Sequence, residues 1–446
     1  MSASKQAPIE ILMHPFNRFF KTSASGGLVL LACTAIAMVW ANSPWSASYS
    51  QFREVPLSLG FADQTLSLSL KHWVNDGVMA VFFFVVGLEI KRELLVGELS
   101  TARKALLPIV AAIGGMLAPA ALYLVFNSGT PHAAGWGVPI TTDIAFALGI
   151  LSLFGRRVPV SLKVFLTAVA IADDMSAVLV IALFYTANLS LSQLGLGLAL
   201  LALMAAANAL GVRKPLVYLL LGVGAWLLFF HSGVHATVSG VIAAMAIPAR
   251  SKSSSKDFLT RCCSILEEYQ ALLSADRGSM LESKRQPILL QTLRETCRDA
   301  ETPLQSIEAV LHPWVAFLVM PLFALVNAGV ALPADMAQAL AQPVNLGILC
   351  GLMLGKPLGV CLAAAVMMST GLAPRPEGVT WRHMLGAGCL AGIGFTMSIF
   401  IAELAFSDQA VKDSAKIGIL GGSFVSAVLG WLVLRGAPEI DSQVES

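Results

Sequence analysis

Charge is scarce in this sequence. Only 13% of its 446 residues are Asp, Glu, Lys or Arg, about half the share usual in a soluble domain, which excludes a chain built mainly of water-facing globular surface. Cysteine and histidine are sparse too, seven of each, and no Cys-x-x-Cys or Cys/His cluster occurs, so a metal centre is not indicated. Cys33, Cys350, Cys361 and Cys389 fall in apolar stretches, and Cys262, Cys263 and Cys297 in one polar loop. An odd count, with that loop on the reducing side, argues against a disulfide framework. No Gly-x-Gly-Asp string accompanies the acids, as a membrane aspartyl protease would require, and no enzyme chemistry or cofactor is indicated. A net charge of +2 gives no ground for a nucleic-acid partner.

What the chain has in abundance is apolar sequence: 56% hydrophobic residues and a mean hydropathy of +0.75. Stretches of about 17 to 25 apolar residues cross a bilayer, and twelve are found, near 24–42, 73–96, 104–126, 136–154, 160–187, 192–211, 215–231, 232–248, 312–331, 343–370, 382–405 and 413–435. The expectation is an all-α polytopic membrane protein in one domain over 1–436, with a polar insertion at about 250–304 and a tail at 437–446. The first stretch follows about 25 residues, long for the start of a leader, and is read as a retained span. Of the 29 Lys and Arg residues, all but five fall on the side of the two termini. The opposite side has only Arg53, Lys71, Lys412 and Lys416, and Lys356 lies inside a span. By the rule that cytoplasmic loops carry the basic excess, both termini face the cytoplasm.

Three segments outside the spans have their own patterns. Glu10 to Lys21 reads either as an amphipathic helix on the inner leaflet or as a basic tail. From Phe52 to Leu70, leucines alternate on either side of turn residues Gly60 to Gln64, which reads as an external β-hairpin; its edges suit pairing with a second copy of the chain, the alternative being packing on its own protomer. Leu259 to Leu273 and Ile288 to Cys297 in the insertion carry helical amphipathic patterns and no readable chemistry.

The chemistry lies in ionisable residues inside spans, each costing roughly 2.5–3.5 kcal/mol at the bilayer centre. Asp143, Asp173, Asp174 and Lys356 all fall roughly 15–20 Å deep at 1.5 Å rise per residue, near one level, which a shared wetted site explains better than four separate accidents. Asp173 and Asp174 point about 100° apart on one helix, so one can hold a cation while the other meets Lys356. A carboxylate in such a place accepts a hard cation such as Na+ or Li+, or a proton, in competition. Two spans show breaks: Gly135, Gly137 and Pro139 precede Thr141-Thr142-Asp143, and Gly386, Gly388, Gly392 and Gly394 precede Phe395-Thr396. Broken helices at corresponding places in two halves mark ion sites in secondary transporters, here spans three to five and ten to twelve as inverted repeats. Asp143 would balance positive helix ends and Lys356 negative ones. Glu89 and Glu93, one turn apart, read as an acidic funnel or as a solvated helix end. Asp76 and the histidines His235 and His312 carry weaker signals.

These residues resemble the NhaA family of Na+/H+ antiporters, itself a standing example of inverted transporter repeats. The matching strings are NDGVMAVFFFVVGLEIKREL from Asn75 to Leu94, TTDIAFA from Thr141, AVAIADD ending at Asp174, SGVHAT from Ser232, LHPWVAFLVMPLFALVNAGV from Leu311, LGKPLG from Leu354 and GIGFTMSI from Gly392. The resemblance implies that Asp173 and Asp174 form the Na+ and proton site and that Asp143 with Thr142 supports binding and balances crossed helix ends. It implies further that Lys356 pairs with Asp173, that Glu89, Glu93 and Glu308 belong to a cytoplasmic pH-response region, and that His235 affects pH dependence. The exchange would be electrogenic, in a bacterial inner membrane. Ala309 stands where the family often has His, and the loop before Glu308 is longer than in compact members.

Overall fold

A backbone with no water to bond must satisfy itself, and apolar runs of this length do so as helices. The structure, a computed structural model, describes residues 25–61, 64–186, 189–251, 254–275 and 285–438. The Glu10 to Lys21 segment, the hairpin turn at Ala62 and Asp63 and nearly all of the 437–446 tail lie outside the described residues. In chain order come α1 (Ser25–Ala41), α2 (Ser46–Glu54), strands β1 (Pro56–Phe61) and β2 (Gln64–Ser69), and α3 (Leu70–Leu95). Next are α4 (Ala102–Asn127), a 3-10 segment (Ala133–Ile140), α5 (Ile144–Ser152), α6 (Val160–Phe184), α7 (Leu191–Ala209), α8 (Pro215–Ser232) and α9 (Ala236–Ala246). The insertion holds α10 (Ser255–Ala275) and α11 (Arg285–Ala300). Then follow α12 (Pro303–Asn327), α13 (Met336–Leu340), α14 (Pro343–Ser369), α15 (Trp381–Ala391), α16 (Phe395–Ala405) and α17 (Gln409–Arg435).

Among the described residues nine helical spans are long and apolar enough to cross a membrane, or eleven if the bent pairs α1 with α2 and α15 with α16 each count as one. The eighth apolar stretch forms only the eleven-residue α9. It is separated from α8 by Gly233, whose φ of 84° is a left-handed value open to glycine at no steric cost. The ninth stretch begins earlier than its apolar run, at Pro303, because Thr302 caps the helix by accepting a hydrogen bond from Gln305 N. Its first turns therefore carry Glu308 rather than leaving it in a loop. Ser46–Glu54 is a helix of mostly polar residues that turns 117° away from α1.

The strands pair antiparallel with Leu57 opposite Leu68 and Leu59 opposite Leu66. Trp73 Nε1 donates to Leu57 O at 2.9 Å, which ties the pair to α3. At the centre α4 lies against α14, α6 and the 3-10 segment, and α17 against α14 and α15. The α4–α14 crossing is close because both sides are glycine: a Cβ on Gly359 would lie 2.1 Å from Gly114 O, an approach only small residues permit. Of the spans, α6 is the most enclosed, and it carries the paired aspartates.

Candidate cation and proton site

The two breaks lie against each other in the middle of the molecule. After Ile140 the chain runs extended through Thr141 to Asp143 before α5 begins. Opposite, α15 ends at Ala391 and α16 starts at Phe395, bent by 42°. Asp143 serves both. Its backbone N donates to Ile393 O at 2.6 Å. Its Oδ1 accepts from Phe146 N at 3.2 Å in the first turn of α5. Its Oδ2 accepts from Thr396 N at 3.3 Å and from the Thr396 hydroxyl in the first turn of α16. One carboxylate thus caps two helix N-termini, whose partial positive charge favours it there.

Lys356 does the converse. Fully buried, it follows a π-helical turn at Gly351–Gly355, a local widening often found at functional positions. Its Nζ donates to Ile140 O, at the C-terminal end of the 3-10 segment, at 2.6 Å, and to Asp173 Oδ2 at 2.5 Å. Thr142 joins the same group, with Oγ1 at 2.8 Å from Asp173 Oδ2 and 2.7 Å from Ala391 O. A hydroxyl has one proton to give, so it donates to one of these acceptors at a time. Against an ionised Asp173 it can serve the carboxylate; against a protonated one it can accept and donate to Ala391.

Asp174 stands apart from this network. Asp143, Asp173 and Asp174 are only 1–2% exposed, yet Asp173 Oδ1 and Asp174 Oδ1 are buried with no hydrogen-bond donor. Buried oxygens without donors are uncommon and call for an explanation. A bare cation or an added proton supplies one. Among the described residues no three His, Cys, Asp or Glu side chains are gathered as a resident metal centre.

The remaining sequence-flagged residues divide between two places. Glu93 and Glu308 meet at Arg92, which lies 3.5 Å from Glu93 Oε1 and is bonded to Glu308 Oε1, and Glu89 lies one turn from Glu93 on the same helix. Lys91 reaches across to Met245 O at 2.6 Å and to Ile247 O, covering the end of α9. Asp76 and His235 lie away from that group: Asp76 sits in the π-helical turn Trp73–Val78 of α3, and His235 Nδ1 is 3.6 Å from its Oδ1.

Sequence reasoning named Thr396 only as following the second break and gave it no role, and it left out Ser398, which donates to Val138 O at 2.8 Å. It also left out Glu403, an acid within an apolar run, paired with Lys71, Lys412 and Lys416. A threonine beside each helix break was a usable signal for the first of these.

A family model described as Na+/H+ antiporter 1 matches residues 17–434. The chain is 53% identical over 428 residues to a Na(+)/H(+) antiporter NhaA of Oleidesulfovibrio alaskensis, covering 96% of this chain and 95% of that protein. It is 46% identical to a Na(+)/H(+) antiporter NhaA of Koribacter versatilis, covering 97% and 93%. Among solved structures it is similar to the sodium proton antiporter MjNhaP1 from Methanocaldococcus jannaschii, with a TM-score of 0.49 and 11% identity over 96% of this chain and 99% of that one.

Proposed function

Since the chain belongs to the Na+/H+ antiporter 1 family, we propose that it exchanges Na+, or Li+, for H+ across a bacterial inner membrane, at Asp173 and Asp174. The observation that carries this reading is the pair of buried carboxylate oxygens without donors, flanked by two broken helices. Leaving such a carboxylate ionised and bare is costly. It is relieved by a sodium ion or by a proton, and one occupant excludes the other. Loading from one side and release to the other then couples the two ions, provided the site opens to one side at a time. With Asp173 beside Lys356, protonation can shift between the pair as sodium arrives. This supports a cycle that carries more protons inward than sodium outward, and so moves net charge.

The architecture we infer around this site has twelve spans, with α1 the first and α9 a short eighth. Inverted repeats are formed by α4 to α6 and by α14 to α17, and the broken helices cross. Each unit has a long helix, a broken span and a second long helix, an arrangement for which this family is a known example. The single domain runs over 1–436 with α10 and α11 as a cytoplasmic insertion. Both termini are cytoplasmic, the strand pair is external, and an unpaired strand edge there suits a homodimer contact. Glu89, Glu93 and Glu308 around Arg92 form a cytoplasmic entry that responds to pH, and Asp76 with His235 tunes that response. Thr142 and Asp143 hold the site together.

The decisive measurement uses everted vesicles loaded with a pH-sensitive dye. Asp174→Asn, which keeps the shape and removes the charge, is expected to abolish Na+-induced dequenching at every pH tested. Exchange close to that of the unaltered protein would refute the site.

A further inference from the structure

Only four basic residues fall on the outer side by the distribution of Lys and Arg, and in the fold they gather at one place. Lys71 at the start of α3 lies 2.8 Å from Glu403 Oε2, Lys412 on α17 3.4 Å from the same oxygen, and Lys416 2.6 Å from Oε1. Arg53, at the end of α2, stacks over Tyr49 at 5.7 Å and is close enough to act electrostatically on Lys416. Glu403 and Lys416 are almost completely removed from solvent, with side chains 3% and 0% exposed. Asp413 is the other acid of the group, 3.9 Å from Lys416. Four cations and two acids leave a surplus of positive charge in an enclosed setting. Basic residues are disfavoured on the outer side and charges are costly when buried, so three of the four meeting at one carboxylate, with the fourth beside them, call for a common cause.

Glu403 is on α16, the half-helix that begins at the second break. Thr396, in the first turn of that helix, bonds to Asp143 through both its N and its hydroxyl. The seven-residue step from Thr396 to Glu403 makes about two turns, or roughly 10 Å. A helix this short moves as a rod, so what fixes one end sets the other. We propose that Glu403 is a positioning residue for the exchange: clamped by Lys71, Lys412 and Lys416, it fixes the outer end of α16 against α3 and α17 and thereby holds Thr396 on Asp143. The proposal rests on the ion-exchange reading above, because Asp143 matters to transport only if the neighbouring aspartates are the exchange site.

The test is a double-mutant cycle in proteoliposomes, using Glu403→Gln, Thr396→Val and both together, with Na+-driven proton flux followed against Na+ concentration. If Glu403 acts through Thr396, Glu403→Gln raises the KM for Na+ about tenfold, with kcat held within about twofold, and has less than about twofold effect when Thr396 is already Val. Additive effects in the cycle, or an unchanged KM in Glu403→Gln, overturn the proposal. Should Glu403→Gln fail to accumulate in the membrane, Lys71→Met and Lys412→Met replace it in the same cycle. Each removes one clamp while leaving Glu403 paired, and the same two results decide. Absence of Na+-dependent flux from the unaltered protein would instead condemn the exchange reading, so the two failures are distinct.

Discussion

The Thr142 hydroxyl has one proton and two acceptors within 2.8 Å, a helix-end carbonyl and Asp173. That makes it the smallest part of the site able to register the charge of Asp173. Losing it leaves a buried acceptor short of a donor, at a cost on the order of 1–3 kcal/mol. Thr142→Val, nearly the same shape, is therefore expected to raise the KM for Na+ about tenfold or more, while Thr142→Ser stays near the unaltered value. A sodium titration of dequenching in everted vesicles checks both, and equal behaviour of Val and Ser would remove the hydroxyl from the mechanism. The mid-span aspartates and Lys356 were legible in the sequence, since ionisable residues are costly in an apolar run and these four fall near one depth. That Asp143 caps two helices at once was not, because Thr396 lies 253 residues away and only the folded chain brings it near.

At the scale of elements, the site depends on helices that approach more closely than ordinary side chains allow. Where α4 crosses α14, an added methyl on Gly359 would run into the backbone of Gly114. Gly359→Ala is expected to cost about 1–3 kcal/mol through overpacking, seen as a lowered midpoint of thermal unfolding in detergent. Gly149→Ala on α5, where a Cβ meets nothing within 4 Å, should leave the midpoint unchanged or slightly raised. The two helix breaks could be read from Pro139 and from the glycines before Phe395, because those residues interrupt hydrogen-bonding or loosen the backbone where a span should be continuous. The short α2 could not. Its residues are mostly polar, and nothing local distinguishes a surface helix from a loop. Nor could the early start of α12, where an N-cap outside the apolar run sets the boundary.

At the scale of the whole molecule, sidedness is the property that the Lys and Arg distribution addresses. Cys263 and Cys297 are exposed on the insertion helices, and Ser58 is exposed on β1. A membrane-impermeant maleimide is expected to label the two cysteines in everted vesicles and not in right-side-out ones. A Ser58→Cys variant lacking the loop cysteines should reverse the pattern; the same side for both would overturn the topology. The basic residues carry an expectation of orientation, yet the convergence of three of them on Glu403 was hidden, because Lys71 and Lys416 are far apart in the chain and meet only through packing.

The helix α9 has eleven residues, enough for about 16 Å in a hydrocarbon layer about 30 Å deep. It is therefore too short to cross such a layer by itself; His235 stands at one end, and carbonyls at the other are held by Lys91. The segment packs against α3 and α8, and seven of its eleven residues are buried, so neighbouring helices rather than lipid make up for its shortness.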